Sequence, residues 1–197
     1  MPAAPLELLR HASHDCHQQL EAAIDWPRAL GSRACYQELL LGFLSVVRPA
    51  EQRLARWLSP ESPPLFEPDR RTRWLLSDLR ALAASDNGQS LPSEDFEFIS
   101  SLSAAIGAQY VLEGSSLGGQ FLSRQLQGNL SITPANGGAY LAAYRSETMK
   151  RWKAFGQWAN ARLLESASTN PASIDQASEA AVLMFARFQS ALGGAAA

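Results

Sequence analysis

The sequence predicts an all-α fold in a single domain, on three observations. Apolar residues recur at helical spacing along most of the chain, no segment alternates as a half-buried strand would, and no internal repeat or linker divides the 197 residues. Leu6, Leu9, Ser13, His17, Leu20 and Ile24 fall every three or four residues, forming one stripe of a helix that ends near Pro27. A second helix is expected over 32–58, with Pro49 kinking or breaking it. The proline-rich stretch beginning Ser59-Pro60 and running to Pro68 reads as a rigid loop. A third helix follows over 69–84, carrying Trp74, Leu75, Leu79 and Leu82.

Asp86-Asn87-Gly88 predicts a turn. Ser93 is the expected cap of a helix through Phe96, Ile99 and Leu102, which continues or restarts into a glycine-rich segment ending near Gly128-Asn129. Thr133-Pro134 fits an N-cap and first-turn pair, and 139–167 reads as mostly helical after Gly137-Gly138. Ser173 with Gln176 suggests a capping box opening a last helix over 174–192. Residues 193–197 read as a frayed tail, leaving an ordered core over 5–192 and six to eight helices in all.

Composition narrows the partners. A net charge of −2 offers no basic excess to neutralise phosphates, which argues against nucleic acid. No run of 18 apolar residues occurs, so no membrane span is expected, and the N-terminus carries no secretion-signal pattern. Cys16 and Cys35 lack metal-ligand spacing and read as reduced thiols, so the expected location is cytoplasmic.

The segment from Tyr110 to Leu122 is the most informative. It reads as a helix, yet Gly114, Gly118 and Gly119 lie inside it, and each glycine costs about 1 kcal/mol of helix propensity relative to alanine. Gly114 and Gly118 are four apart and share a face. Either a ligand lies against that face or another helix crosses closely.

The three histidines, His11, His14 and His17, all lie on the first helix. At 100° per residue His14 is about 60° from His17 and His11 about 120° away, so they do not converge on one point. His17 alone joins the apolar stripe, as a core residue or a ligand; His11 and His14 are expected to face solvent.

With no histidine after position 17, a di-iron carboxylate bundle lacks ligands. Cys-x-x-Cys and His-Glu-x-x-His are both missing, which disfavours zinc, and a Ser-His-Asp triad would have to draw its histidine from the first helix. The glycines follow no strand, so a dinucleotide fold is also disfavoured. An imidazole opposite a glycine-opened helix does suit haem, which needs an axial ligand, apolar walls and an open coordination position.

The stretch Arg10-His11-Ala12-Ser13-His14-Asp15-Cys16-His17-Gln18-Gln19-Leu20-Glu21 resembles the proximal-helix pattern of heme oxygenases, Leu-Arg-x-x-Thr-x-x-x-His-x-x-Leu-Glu. Tyr110 to Gln120 is similar to their distal helix, in the bacterial form associated with bacteriophytochromes. Thr148-Met149-Lys150-Arg151-Trp152-Lys153-Ala154-Phe155 resembles, more weakly, a Thr-Gly-x-x-Trp-x-x-Phe segment late in the fold. The matches span residues 6–192 in the expected order.

The resemblance implies haem (heme b), as both cofactor and substrate, clamped between the first helix and the glycine-containing helix. It implies His17 as axial iron ligand, Gly114 and Gly118 as distal residues, and Gly119 as needed for a bend. Arg10 and Lys153 match positions that hold the haem propionates, and Tyr110 and Ser13 fall beside the same pocket. Ser13 keeps the hydroxyl of the usual threonine; Met149 replaces a glycine and bears on the propionate end.

The implied reaction uses O2 and electrons from an external reductant, such as ferredoxin or a flavin reductase, and yields biliverdin, CO and iron. A bacteriophytochrome is the implied acceptor of biliverdin. Arg70, Arg71 and Arg73 offer a docking patch for an acidic redox protein, or a solvated face. A haem or tetrapyrrole carrier or sensor on the same fold is the alternative, separated by biliverdin formation. A helical interaction module would bind no haem.

Overall fold

The computed structural model of the chain describes residues 3–58, 66–84 and 92–193. The Asp86-Asn87-Gly88 turn, residues 59–65 of the proline-rich stretch and residues 194–197 of the tail lie outside the described residues. Among those described, nine α-helices and two 3-10 turns form the whole secondary structure. They are α1 (Pro5–Ala12), α2 (His14–Ala23), α3 (Trp26–Ala29), α4 (Arg33–Leu54), α5 (Arg70–Ala81), α6 (Leu102–Leu130), α7 (Ala139–Ala142), α8 (Thr148–Thr169) and α9 (Ser173–Leu192). The all-α expectation holds, with more and shorter pieces than the periodicity alone suggests.

The expected first helix is two helices, divided at Ser13. Its hydroxyl donates to the Leu9 carbonyl at 2.8 Å, and this back-bonding competes with the regular ladder at the point of division. Pro49 does not break α4, which runs unbroken from Arg33 to Leu54. Tyr36, Leu40, Leu44, Val47 and Leu54 are all buried on that helix, and such packing outweighs one missing backbone bond.

Three expected helix starts shift. Residues 93–96 form only a 3-10 turn, and the long helix opens later with Ser101 as its cap, accepting from the Ala104 N–H at 3.1 Å. Thr133-Pro134 opens no helix. Asn136 Oδ1 accepts there from both the Thr133 N–H, at 2.5 Å, and its hydroxyl, at 3.1 Å, closing a turn instead. The expected run over 139–167 divides into α7, a 3-10 turn and α8. Ser173 is the first residue of α9 rather than its cap, and Gln176 Oε1 accepts from the Ser101 hydroxyl at 3.4 Å instead of completing a capping box.

Helix α6, about 43 Å long at 1.5 Å per residue, is the axis of the fold. Its first half is buried on nearly every side (Ala104, Ala105, Ile106, Ala108, Val111, Leu112), as expected of a helix surrounded by others. α9 crosses it closely at Gly107, where an added Cβ would stand 1.9 Å from the Ala177 carbonyl oxygen. Gly107→Ala should therefore destabilise the protein by about 3 kcal/mol, read as a lowered urea midpoint, because backbone rather than a flexible side chain would have to move.

Candidate functional site

Between α1–α2 on one side and the middle of α6 on the other lies a cavity of about 380 Å³, walled mainly by apolar side chains. Phe43 from α4, Leu141 from α7, Trp152 from α8 and Phe185 and Phe188 from α9 complete the wall. The cavity lies where the two sequence signals face each other.

His17 lines the cavity with its side chain 52% exposed. The imidazole is therefore not enclosed as a core histidine would be. Its ring meets Phe185 edge-on, with centroids 5.4 Å apart, and its Nε2 lies 3.4 Å from Glu21 Oε1, one turn on. A carboxylate beside a ligating imidazole fixes the ring's orientation. His14 is exposed, as expected, and also lines the cavity from the first turn of α2. His11 is exposed and is not part of the lining.

The three glycines of α6 separate into two kinds. A Cβ at Gly118 would meet nothing within 4 Å, and one at Gly114 would only touch Trp152 at 3.8 Å. Both therefore leave open space on the cavity side. Gly119 lines the cavity as well, but its missing Cβ serves packing, because a methyl there would lie 2.7 Å from the Leu141 carbonyl oxygen. α6 runs unbroken through Gly119, and this residue provides a close approach of α7.

Arg10, Ser13 and Tyr110 all line the cavity. Burial raises the Tyr110 phenol, while hydrogen bonding to Ser13 and the Arg10 charge pull it down. Lys153 does not join them: it is exposed on α8, outside the lining, and its neighbour Trp152 is the residue that faces inward. The helical period explains the difference, since adjacent residues point about 100° apart. Met149 is 52% exposed and also outside the lining, so its substitution leaves the wall unaltered. Thr148 is buried and takes a hydrogen bond from Gln120 Nε2 at 2.6 Å, which ties α8 to α6.

Sequence reasoning missed the polar wall behind α6. Arg71, 3% exposed, lies with Nη2 3.2 Å from Glu113 Oε1 and donates from Nη1 to the Ser116 hydroxyl at 3.1 Å. Gln109 Nε2 and the Tyr144 hydroxyl also donate to Glu113 Oε1, at 2.9 and 3.2 Å. Glu51 holds the start of α5 by accepting from the Arg71 N–H, the Thr72 N–H and the Thr72 hydroxyl. Burial raises the Glu51 carboxyl, and those donors act against that rise. Arg71 is internal and so drops out of the expected docking patch, while Arg70 and Arg73 both pair with Glu67. No group of three or more potential metal-ligating side chains occurs among the described residues, and no described helix is long and apolar enough to cross a membrane.

An all-helical chain whose open imidazole faces a glycine-notched helix across an apolar cavity has the build of a haem-handling protein. The family comparison makes this specific: the model of the heme oxygenase family matches residues 4–192, and the chain belongs to that family, whose members are enzymes that cleave haem. The fold agrees with that of the heme oxygenase from Neisseria meningitidis, solved as its NO- and CO-bound forms, with a TM-score of 0.82 at 21% identity, over 98% of this chain and 92% of that one. No curated protein sequence matches the chain.

Proposed function

We propose that haem is held in this cavity as both substrate and cofactor, with His17 as its axial iron ligand and Gly114 and Gly118 on the opposite, distal side. The observation that carries the assignment is the half-exposed imidazole of His17 opening onto the same cavity as the unfilled notch at Gly118. The residues present fit the group: one imidazole, apolar and aromatic walls, and a guanidinium from Arg10. Arg10 is assigned to the haem carboxylates, with Ser13 and Tyr110 lining the same cavity.

When bound, haem supplies the chemistry, activating O2 with electrons from an external reductant and being opened to biliverdin, CO and iron. The protein's share is binding and exclusion. His17 fixes the iron, and the aromatic wall keeps bulk water from the ring. The glycines leave the distal side clear of side chains, and Glu21 orients the imidazole. The bacteriophytochrome-associated form of the glycine segment supports a cytoplasmic enzyme that passes biliverdin to a photoreceptor and receives electrons from a ferredoxin or a flavin reductase.

A haem titration followed by ascorbate in air tests the reading. Saturable one-to-one binding with a histidine-ligated absorption spectrum, then growth of the biliverdin band, is the expected result. Absence of saturable binding would overturn the site assignment, and binding without ring opening would point to a carrier.

A further inference from the structure

Two tyrosines line the cavity, and they differ in one respect. The Tyr110 phenol has Ser13 as a hydrogen-bonding partner. The Tyr140 hydroxyl is buried and has no hydrogen-bond partner among the described residues. A buried hydroxyl left unpaired is costly and uncommon in folded proteins, and one that borders a binding cavity is free to pair with what the cavity holds.

The position of Tyr140 is enforced from three directions. Asp78 on α5 accepts from the Ala139 and Tyr140 N–H groups at 2.8 and 2.7 Å, which anchors the start of α7. The Tyr36 hydroxyl donates to the Gly137 carbonyl at 3.0 Å, just before that helix. The Tyr140 ring packs on Phe43, with centroids 5.0 Å apart. α7 also lies directly on α6 at the Gly119–Leu141 approach, which puts Tyr140 on the glycine-helix side of the cavity. A side chain fixed this well with its polar atom idle is preorganised for something the cavity holds.

We propose that the Tyr140 hydroxyl is a hydrogen-bond donor to the small ligand on the α6 side of the cavity: O2 in turnover, CO when CO takes its place. Its role is to hold a polarised diatomic in position, and so to lengthen the time O2 stays bound. Burial pushes the Tyr140 phenol well above its ordinary range, so it remains protonated and able to donate wherever the protein is folded. This inference rests on the haem reading above.

Tyr140→Phe tests it, because the ring and its contact with Phe43 are kept and only the hydroxyl is lost. In the haem-loaded, reduced protein the C–O stretching frequency should rise in the variant, and O2 should leave about fivefold faster, the loss expected for one ordinary hydrogen bond. Haem affinity should not change. A second reading needs no mutation: the wild-type C–O stretch should shift between H2O and D2O, and that shift should vanish in Tyr140→Phe. An unchanged stretch and an unchanged O2 release rate in a variant that still binds haem would overturn the role of Tyr140 alone. Failure of the wild type to bind haem would overturn the haem reading and this proposal with it.

Discussion

His17→Ala is expected to weaken haem binding by more than about 100-fold and to abolish turnover. Loss of outer groups around a metal ligand already costs up to about 100-fold, and here the ligand itself is removed. The substitution should barely affect folding, because the side chain is 52% exposed and its contacts are one ring edge and a carboxylate at 3.4 Å. Absorption titrations of wild type and variant measure the effect, and thermal unfolding without haem confirms that the fold is kept. Added free imidazole should enter the vacated space and restore part of the spectrum. His14→Ala is the companion variant, since His14 is the other imidazole on the cavity wall. It should keep the wild-type spectrum; if it loses the spectrum while His17→Ala does not, the ligand has been assigned one turn too late.

Gly118→Leu should move stability and function in opposite directions. Replacing an interior helical glycine with leucine gains about 1 kcal/mol of propensity. Here no clash takes it back, because a Cβ at Gly118 meets nothing within 4 Å. The melting temperature of the haem-free protein should hold or rise. The same side chain would project into the cavity, so haem affinity or turnover should fall at least about tenfold, a loss corresponding to 1.4 kcal/mol. Gly119→Ala separates this effect from glycine loss in general: its Cβ would lie 2.7 Å from the Leu141 carbonyl oxygen, so it should lower the melting temperature. Normal turnover by Gly118→Leu would show that the notch is not needed for substrate or O2.

The opposed helices of the site were readable because each carries a local signal. His17 shares an apolar stripe with Leu9, Leu20 and Ile24, and the glycines violate helix propensity in a way that demands a reason. What could not be read depends on distant partners. Gly118 and Gly119 are neighbours in one segment, and only the position of Leu141 on α7 separates an open notch from a packing contact. Arg71 sits in the run Arg70-Arg71-Thr72-Arg73 and looks like surface; its burial follows from Glu113 and Ser116 on a different helix. α7 is too short for a helical period to register, so Tyr140 gave no warning of facing the cavity. For Lys153 the motif match fixed the segment but not that Trp152, its neighbour, is the one of the two that lines the cavity.

The packing of α9 also has a consequence for how the protein is made. Phe185 and Phe188 close the cavity, Phe185 touches the His17 ring, and the Gly107–Ala177 crossing binds α9 to the central helix. On the ribosome, His17 emerges long before these residues do. Until α9 has left the exit tunnel, the nascent chain presents a half-built, greasy trough in place of a pocket, with its imidazole bare. The cavity is therefore complete only after synthesis has passed α9, and the apolar surface that α9 covers is exposed until then.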